Sequence, residues 1–152
     1  MIFFDIDNTL ADSWPSFLVP GWKSSNHRLS TLAIFTRMRR LILCLFRSPF
    51  NQIYFLSTRS YTSFFVTLHW LQANKIPITW NRLIITNTPE EKLIFIKSAL
   101  KSHKHSEVYL IDDLSHNHER GQVIFYEDLI RKIETANIRY FGVNKIKVIN
   151  KI

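Results

Sequence analysis

The chain has 152 residues, enough for one domain that buries roughly two-thirds of its unfolded surface without staples. It carries a formal charge of +8, but it is 46% hydrophobic with three Gly and five Pro and shows no low-complexity tract or internal repeat, which excludes a largely disordered chain. Its one cysteine, Cys44, excludes an internal disulfide and suits a reducing compartment.

The first strand signal comes at once. Met1, Ile2, Phe3 and Phe4 form the near-continuous apolar run of a strand covered on both faces, and polarity then switches to Asp5, Asp7, Asn8 and Thr9. In an open α/β sheet ligands bind at the carboxyl ends of strands. Two carboxylates there repel and are costly to bury, and a divalent cation is the usual way to keep both ionised. Asp and Asn are also common where strands end, so these residues alone do not separate a metal site from a capped turn. A strand that starts at Met1 leaves no room for a signal peptide before the polar residues, so a cytoplasmic location is expected.

Residues 10–26 read as an irregular loop, long for a connection. Its Trp14, Phe17 and Trp22 could line the mouth of a site, join a subunit contact in a homo-oligomer, or pack over an adjacent helix. From His27 to Arg47, Leu29, Leu32, Phe35, Met38, Leu41, Ile42 and Leu45 recur at helical spacing and predict one helix. Its apolar run at 41–46 is too short to span a bilayer, and no transmembrane segment is expected.

Ile53–Leu56 predicts a second buried strand, ending in Ser57, Thr58 and Arg59. A helix over 61–74 follows, with Phe64, Phe65, Leu68 and Leu71 inward, then a short strand at 83–85. Thr88-Pro89-Glu90-Glu91 is a capping box with Pro at the first helical position, opening a helix to about His103. Lys92 sits in its first turn, where it opposes the helix dipole at a cost of about 0.3–1 kcal/mol and so points to another use. Residues 107–111 predict a fourth strand ending in Asp112-Asp113, and a helix is expected over 127–136; the tail from Ile138 is only partly strand-like. Strands alternating with helices over short connections predict a doubly wound, Rossmann-like parallel sheet with helices on both faces.

Three strands thus end in polar residues at one sheet edge: Asp5 and Asp7, Ser57 and Thr58, Asp112 and Asp113, with Lys92 delivered by a helix start. Acids around Mg²⁺, a hydroxyl and a lysine together suit a dianionic phosphoryl group, whose oxygens need cations and donors as charge builds in transfer. The ordered series DIDNT, a strand ending in Ser57, Lys92 and Asp112-Asp113 resembles the haloacid dehalogenase (HAD) superfamily, in its phosphatase branch. The resemblance covers positions 5 to 113, most of the chain. It implies Asp5 as the nucleophile that becomes an aspartyl phosphate, and Asp7 as the acid that protonates the leaving oxygen and the base that activates water. It further implies that Thr9 braces the loop, that Ser57, the Thr58 backbone and Lys92 hold the phosphoryl group, and that Asp5, the Asp7 carbonyl and Asp113 ligate Mg²⁺. Asp112 would orient Lys92 or a metal-bound water, and Arg59 is placed to touch substrate. Neither gap where the family inserts a cap is large, since 10–53 reads as one loop and one helix, so a capless single domain over 1–152 is expected.

An open site and a basic chain suit a polynucleotide end, a nucleotide or a phosphorylated saccharide. Solvated helix faces would account for the basic charge equally well. His116 and His118 read as solvated loop residues that could touch a substrate phosphate, and His103 with His105 as a weak metal pair. A receiver domain is set aside because the middle strand ends in Ser57 and Thr58 without an acid. The rival of another class is a non-enzymatic basic module that keeps this fold and binds nucleic acid or a protein partner.

Overall fold

The structure, a computed structural model, describes residues 1–13, 25–103, 107–116, 118 and 122–151. Trp14, Phe17, Trp22 and His105 lie outside them. Nine strands are described: β1 (Ile2–Phe4), β2 (Ala11–Asp12), β3 (Ala33–Ile34), β4 (Ile53–Thr58), β5 (Leu83–Thr86), β6 (Tyr109–Ile111), β7 (Ser115–His116), β8 (Ile124–Phe125) and β9 (Arg139–Phe141). The helices are α1 (Ser25–Ser30), α2 (Thr36–Leu45), α3 (Phe64–Ala73), α4 (Pro89–Ser102), α5 (Glu127–Glu134) and α6 (Val143–Asn150), with single 3₁₀ turns at Tyr61–Ser63 and Trp80–Arg82.

Five strands form one parallel sheet in the order β5-β4-β1-β6-β9. Residue parity assigns the two faces, because successive side chains in a strand point opposite ways. Ile2, Phe4, Ile53, Phe55, Leu83, Ile85 and Ile111 pack with Met38 and Ile42 of α2, Leu68 and Leu71 of α3 and Ile146 of α6. Phe3, Leu56 and Leu110 pack on the other face with Leu93 and Ile96 of α4 and Leu129 and Ile133 of α5. The expected doubly wound sheet is therefore present, with a fifth strand from the tail. Chain order reverses between β1 and β6, and such a switch point opens a crevice at the carboxyl edge.

Two local expectations fail. The predicted 27–47 helix is two helices with β3 between them: Ala33 and Ile34 pair antiparallel with Asp12 and Ala11, and the Phe35 amide donates to the Leu10 carbonyl at 2.8 Å. The hydroxyl of Thr31 bonds back to the His27 and Arg28 carbonyls, both at 3.2 Å, where α1 stops. Apolar residues at 29, 32, 35 and 38 fit a helix, but a tertiary partner for 33–34 wins. The 10–53 segment thus holds β2, α1, β3 and α2 instead of a loop and one helix. Phe65, expected inward, is 69% exposed, since Phe64, Thr67, Leu68 and Leu71 make the buried stripe and Phe65 falls a third of a turn away. Among the described residues, no helix is long and apolar enough to cross a membrane.

Candidate active site

Register brings the acids together. Phe4 pairs with both Phe55 and Ile111, so one step further β1 and β6 deliver Asp5 and Asp112 side by side, and the Asp5 amide donates to the Ile111 carbonyl at 2.9 Å. Beyond Asp5 the chain turns tightly. The amides of Leu10 and Ala11 bond to the Ile6 carbonyl, and Asn8 takes φ of 58°, a left-handed conformation that Asn tolerates better than most residues. After β6, Leu114 is also left-handed, at φ 45°, and its amide caps Asp112 Oδ1 at 2.9 Å.

Lys92 stands between the two strand ends. Its Nζ donates to Asp5 Oδ1 and to Asp112 Oδ2, each at 2.7 Å, and all three side chains are buried. The capping box brings it there: Thr88 Oγ1 accepts from the Glu91 amide at 3.4 Å, while Glu91 Oε2 accepts from the Asn87 amide at 2.8 Å. Asp113 lies alongside, accepting from Thr9 Oγ1 at 3.3 Å and from Ser115, whose hydroxyl also meets His118 Nε2 at 2.8 Å. One oxygen from each of Asp5, Asp112 and Asp113 lies within 4.8 Å of the others. Three buried carboxylates share one lysine, an excess of negative charge that suits a small hard cation bound by oxygen. Burial pushes the Asp5 carboxyl well above the usual carboxylate range, with Lys92 pulling it down and Asp112, Asp113 and Asp7 adding to the rise. Burial raises Asp112 as well, against the pull of Lys92. Burial lowers the Lys92 ammonium, but Asp112 and Asp5 outweigh it and hold the charged form.

Asp7 faces another way. Arg59 grips it with a two-pronged fork, Nε to Oδ2 at 2.7 Å and Nη2 to Oδ1 at 2.6 Å, and Ser13 Oγ donates to Oδ1 at 2.5 Å. Burial would raise the Asp7 carboxyl, but the Arg59 charge and hydrogen bonds, with Ser13 and Lys92, bring it below its ordinary value. Arg59, expected at the substrate, is buried and spends its remaining terminal nitrogen on Thr67 Oγ1 at 2.9 Å. Ser57 is fully buried and donates to Asp7 Oδ2 at 3.4 Å, near the weak limit of a hydrogen bond. Thr58 Oγ1 meets Thr86 Oγ1 at 3.2 Å.

A pocket of about 210 Å³ opens over this array, lined by Asp5, Asp7, Asn8, Thr58, Lys92, Asp112, Asp113, His116 and Tyr126 among others. The predicted Asp5, Asp7, Thr58, Lys92, Asp112 and Asp113 all reach it; Thr9, Ser57 and Arg59 lie behind it. Of the expected metal ligands, Asp5 and Asp113 fall in the carboxylate cluster, which Asp112 also joins, while the Asp7 carboxylate is turned to Arg59 and leaves only its backbone carbonyl for that role. His116 lines the wall with its ring 4.5 Å from that of Tyr126, and His118 sits behind Asp113 through Ser115. Sequence reasoning missed Ser13, Thr67, Ser115 and Tyr126. Ser115, two residues past Asp113, carried a local signal; the others are set by tertiary contact alone.

No family model matches the chain, and no curated protein matches it. By structure it is similar to a chain of the Pnkp1/Rnl/Hen1 complex, with a TM-score of 0.55 and 18% sequence identity over 93% of this chain and 45% of that one. At that identity the likeness is one of fold, and the chain spans less than half the length of the solved chain it matches.

Proposed function

We propose that the chain is a single-domain, Mg²⁺-dependent phosphomonoester hydrolase of the HAD type, working through an aspartyl phosphate, with a polynucleotide end, a nucleotide or a phosphorylated saccharide as substrate. The observation that carries the reading is Lys92 bridging Asp5 and Asp112, with Asp113 alongside, at the crevice between β1 and β6. The structural likeness to a chain of the Pnkp1/Rnl/Hen1 complex adds support for the fold.

The chemistry follows from the two environments. Asp5 has one oxygen tied to Lys92 and leaves Oδ2 without a donor among the described residues. That oxygen attacks phosphorus in line, forming a P–O bond to Asp5 as the bond to the leaving oxygen breaks and Asp7 gives that oxygen its proton. Asp7 then takes a proton from water, whose oxygen attacks the same phosphorus and frees Asp5 and inorganic phosphate. Lys92 and the Thr58 backbone hold the phosphoryl oxygens, and Ser57 exchanges its long bond to Asp7 for one of them. Asp5, the Asp7 carbonyl and Asp113 would hold Mg²⁺, with Asp112 keeping Lys92 in line, and the bound ion would supply positive charge to the phosphoryl oxygens. Before substrate binds, Arg59 holds the Asp7 carboxyl below its ordinary range, and an arriving phosphoryl dianion raises its proton affinity, so the acid is loaded as the substrate binds.

Phosphate release from a panel of phosphomonoesters, with Mg²⁺ and with EDTA, tests the reading. Turnover that needs the metal and is lost in Asp5→Asn supports it. A folded protein that binds Mg²⁺ and turns over nothing returns the weight to a non-enzymatic binding module.

A further inference from the structure

The charge of this chain is segregated along the sequence. From Ser13 to Pro89 there are nine Lys and Arg and no Asp or Glu, while the rest has eleven against twelve. The fold turns this into a sidedness. Helices α1, α2 and α3 come from the acid-free stretch and cover one sheet face, where α6, also without an acid, joins them. The opposite face carries Glu90 and Glu91 on α4 and Glu127, Asp128 and Glu134 on α5.

On the acid-free side Arg37, Arg40 and Arg47 follow one another along α2 and the turn that closes it, over about 15 Å. All three are exposed, and none has an ion-pair partner among the described residues. Helix α6 packs beside α2 and adds exposed Lys147, one turn before the Asn150 that meets α2. The two helices are tied to the active-site loop, because the Asn150 side chain accepts from the Met38 amide at 3.2 Å and donates to the Thr9 carbonyl at 3.4 Å. Just past Arg47, Phe50 is 92% exposed on a turn fixed by hydrogen bonds from Asn51 to Leu45 and Ser48. A line of unpaired arginines ending in a bare ring on a fixed turn matches a single strand, whose phosphates need cations and whose bases stack on aromatic faces.

We propose that the α2–α6 face binds the backbone of a single-stranded nucleic acid and leads its phosphorylated end to the crevice. The binding rests on this face alone; that the strand is also a substrate rests on the phosphomonoesterase reading. A pocket of about 210 Å³ holds little more than the end itself, so the rest of a long substrate must lie on the outer surface.

The first measurement is fluorescence anisotropy of a single-stranded oligonucleotide with hydroxyl at both ends, titrated against salt, so that the hydrolytic site plays no part. Arg40→Gln/Arg47→Gln is compared with Lys97→Gln/Lys101→Gln, an equal charge change on exposed positions of α4, and Arg37→Gln/Lys147→Gln serves as a second pair on the proposed face. Both pairs on the face should weaken binding at least about tenfold and lower the slope of log affinity against log salt by about 1.4, at about 0.7 per lost phosphate contact. The α4 pair should change neither by as much as half of that. Phe50→Ala should weaken binding by about tenfold with no change in slope. Equal losses from both faces, no oligonucleotide binding, or binding only to vesicles of anionic lipid would each overturn the proposal.

The second measurement compares hydrolysis of a terminally phosphorylated oligonucleotide with that of a small phosphomonoester. The pairs on the face should raise KM for the oligonucleotide at least fivefold and leave the small ester unchanged; loss on both alike counts against the delivery role. If neither ester is cleaved while oligonucleotide binding still follows the α2–α6 face, the hydrolase reading fails and the binding face stands.

Discussion

Asp5 and Asp7 are two residues apart, and their proton affinities shift in opposite directions. Burial raises both; at Asp5, Lys92 only partly offsets it and the neighbouring acids add to the rise, whereas at Asp7, Arg59 with Ser13 and Lys92 more than offsets it. If Asp7 protonates the leaving oxygen, Asp7→Asn should lose about 10²–10⁴ in kcat/KM on an alkyl phosphate and much less on p-nitrophenyl phosphate, whose leaving group needs no proton. With the aryl ester, phosphoenzyme should then accumulate as a burst, since the water step has lost its base. Arg59→Gln should act through Asp7. The proton now leaves Asp7 at unusually low pH, so kcat/KM falls as pH rises; without the arginine the carboxyl returns upward and that fall begins at higher pH, with a lower maximum because the fork no longer aims it. A pH–rate profile that keeps its shape in Arg59→Gln would remove Arg59 from this role. The sequence showed Arg59 as a charge next to a strand end and could not show its direction. That was settled by Thr67, eight residues on, whose hydroxyl and buried position draw the guanidinium inward.

At the scale of elements, what was legible had a local cause. Helix α4 was readable to within a residue because Thr88, Pro89 and Glu91 are chemical instructions contained in four positions. Thr88→Ala should cost about 0.5–1 kcal/mol, at the low end for a cap because its bond is long, and lower the thermal midpoint by about 1–4 °C. It should raise KM as well, since Lys92 is the next residue after the cap's last contact; a melting curve and a KM measurement check both. The 27–47 segment was not readable because its break depends on Ala11 and Asp12, two residues that offer 33–34 a strand partner across an intervening stretch. Helical spacing was satisfied and overruled. The site was legible for a different reason: each acid follows an apolar strand, and a parallel sheet places strand ends at a common edge whatever the strand order. The order itself, and with it the pairing of Asp5 with Asp112 through Lys92, was beyond local pattern.

For the molecule as a whole the buried acids set a relation between pH, metal and stability. Without metal, Asp5 and Asp112 bind protons more tightly folded than unfolded, so their contribution is fully present below the ordinary value of 3.8 and is lost as pH rises through their raised folded values. Asp7 has the opposite sign: its contribution is present above 3.8 and is lost as pH falls through its lowered value. Mg²⁺ binds the ionised set, and at 100 times its dissociation constant it restores about 2.7 kcal/mol. The gap in thermal midpoint between Mg²⁺ and EDTA should therefore widen from pH 5 to pH 8. A gap that is constant across that range would mean that the clustered carboxylates are not where the ion binds.

The central place of β1 has a consequence in time. The strand made first lies in the middle of the sheet, and its two neighbours begin at Ile53 and Tyr109, so its hydrogen bonds wait on partners 51 and 107 positions further along. At about 5–20 residues per second on the ribosome, Asp5 exists for several seconds before Asp112 is made, and β1 meanwhile has an unpaired edge flanked by Phe3 and Phe4. Contacts this distant make folding slow and leave a sticky intermediate. Refolding should show a slow phase that Mg²⁺ does not accelerate, because the ion has no complete set of ligands to bind until the last central strand has docked.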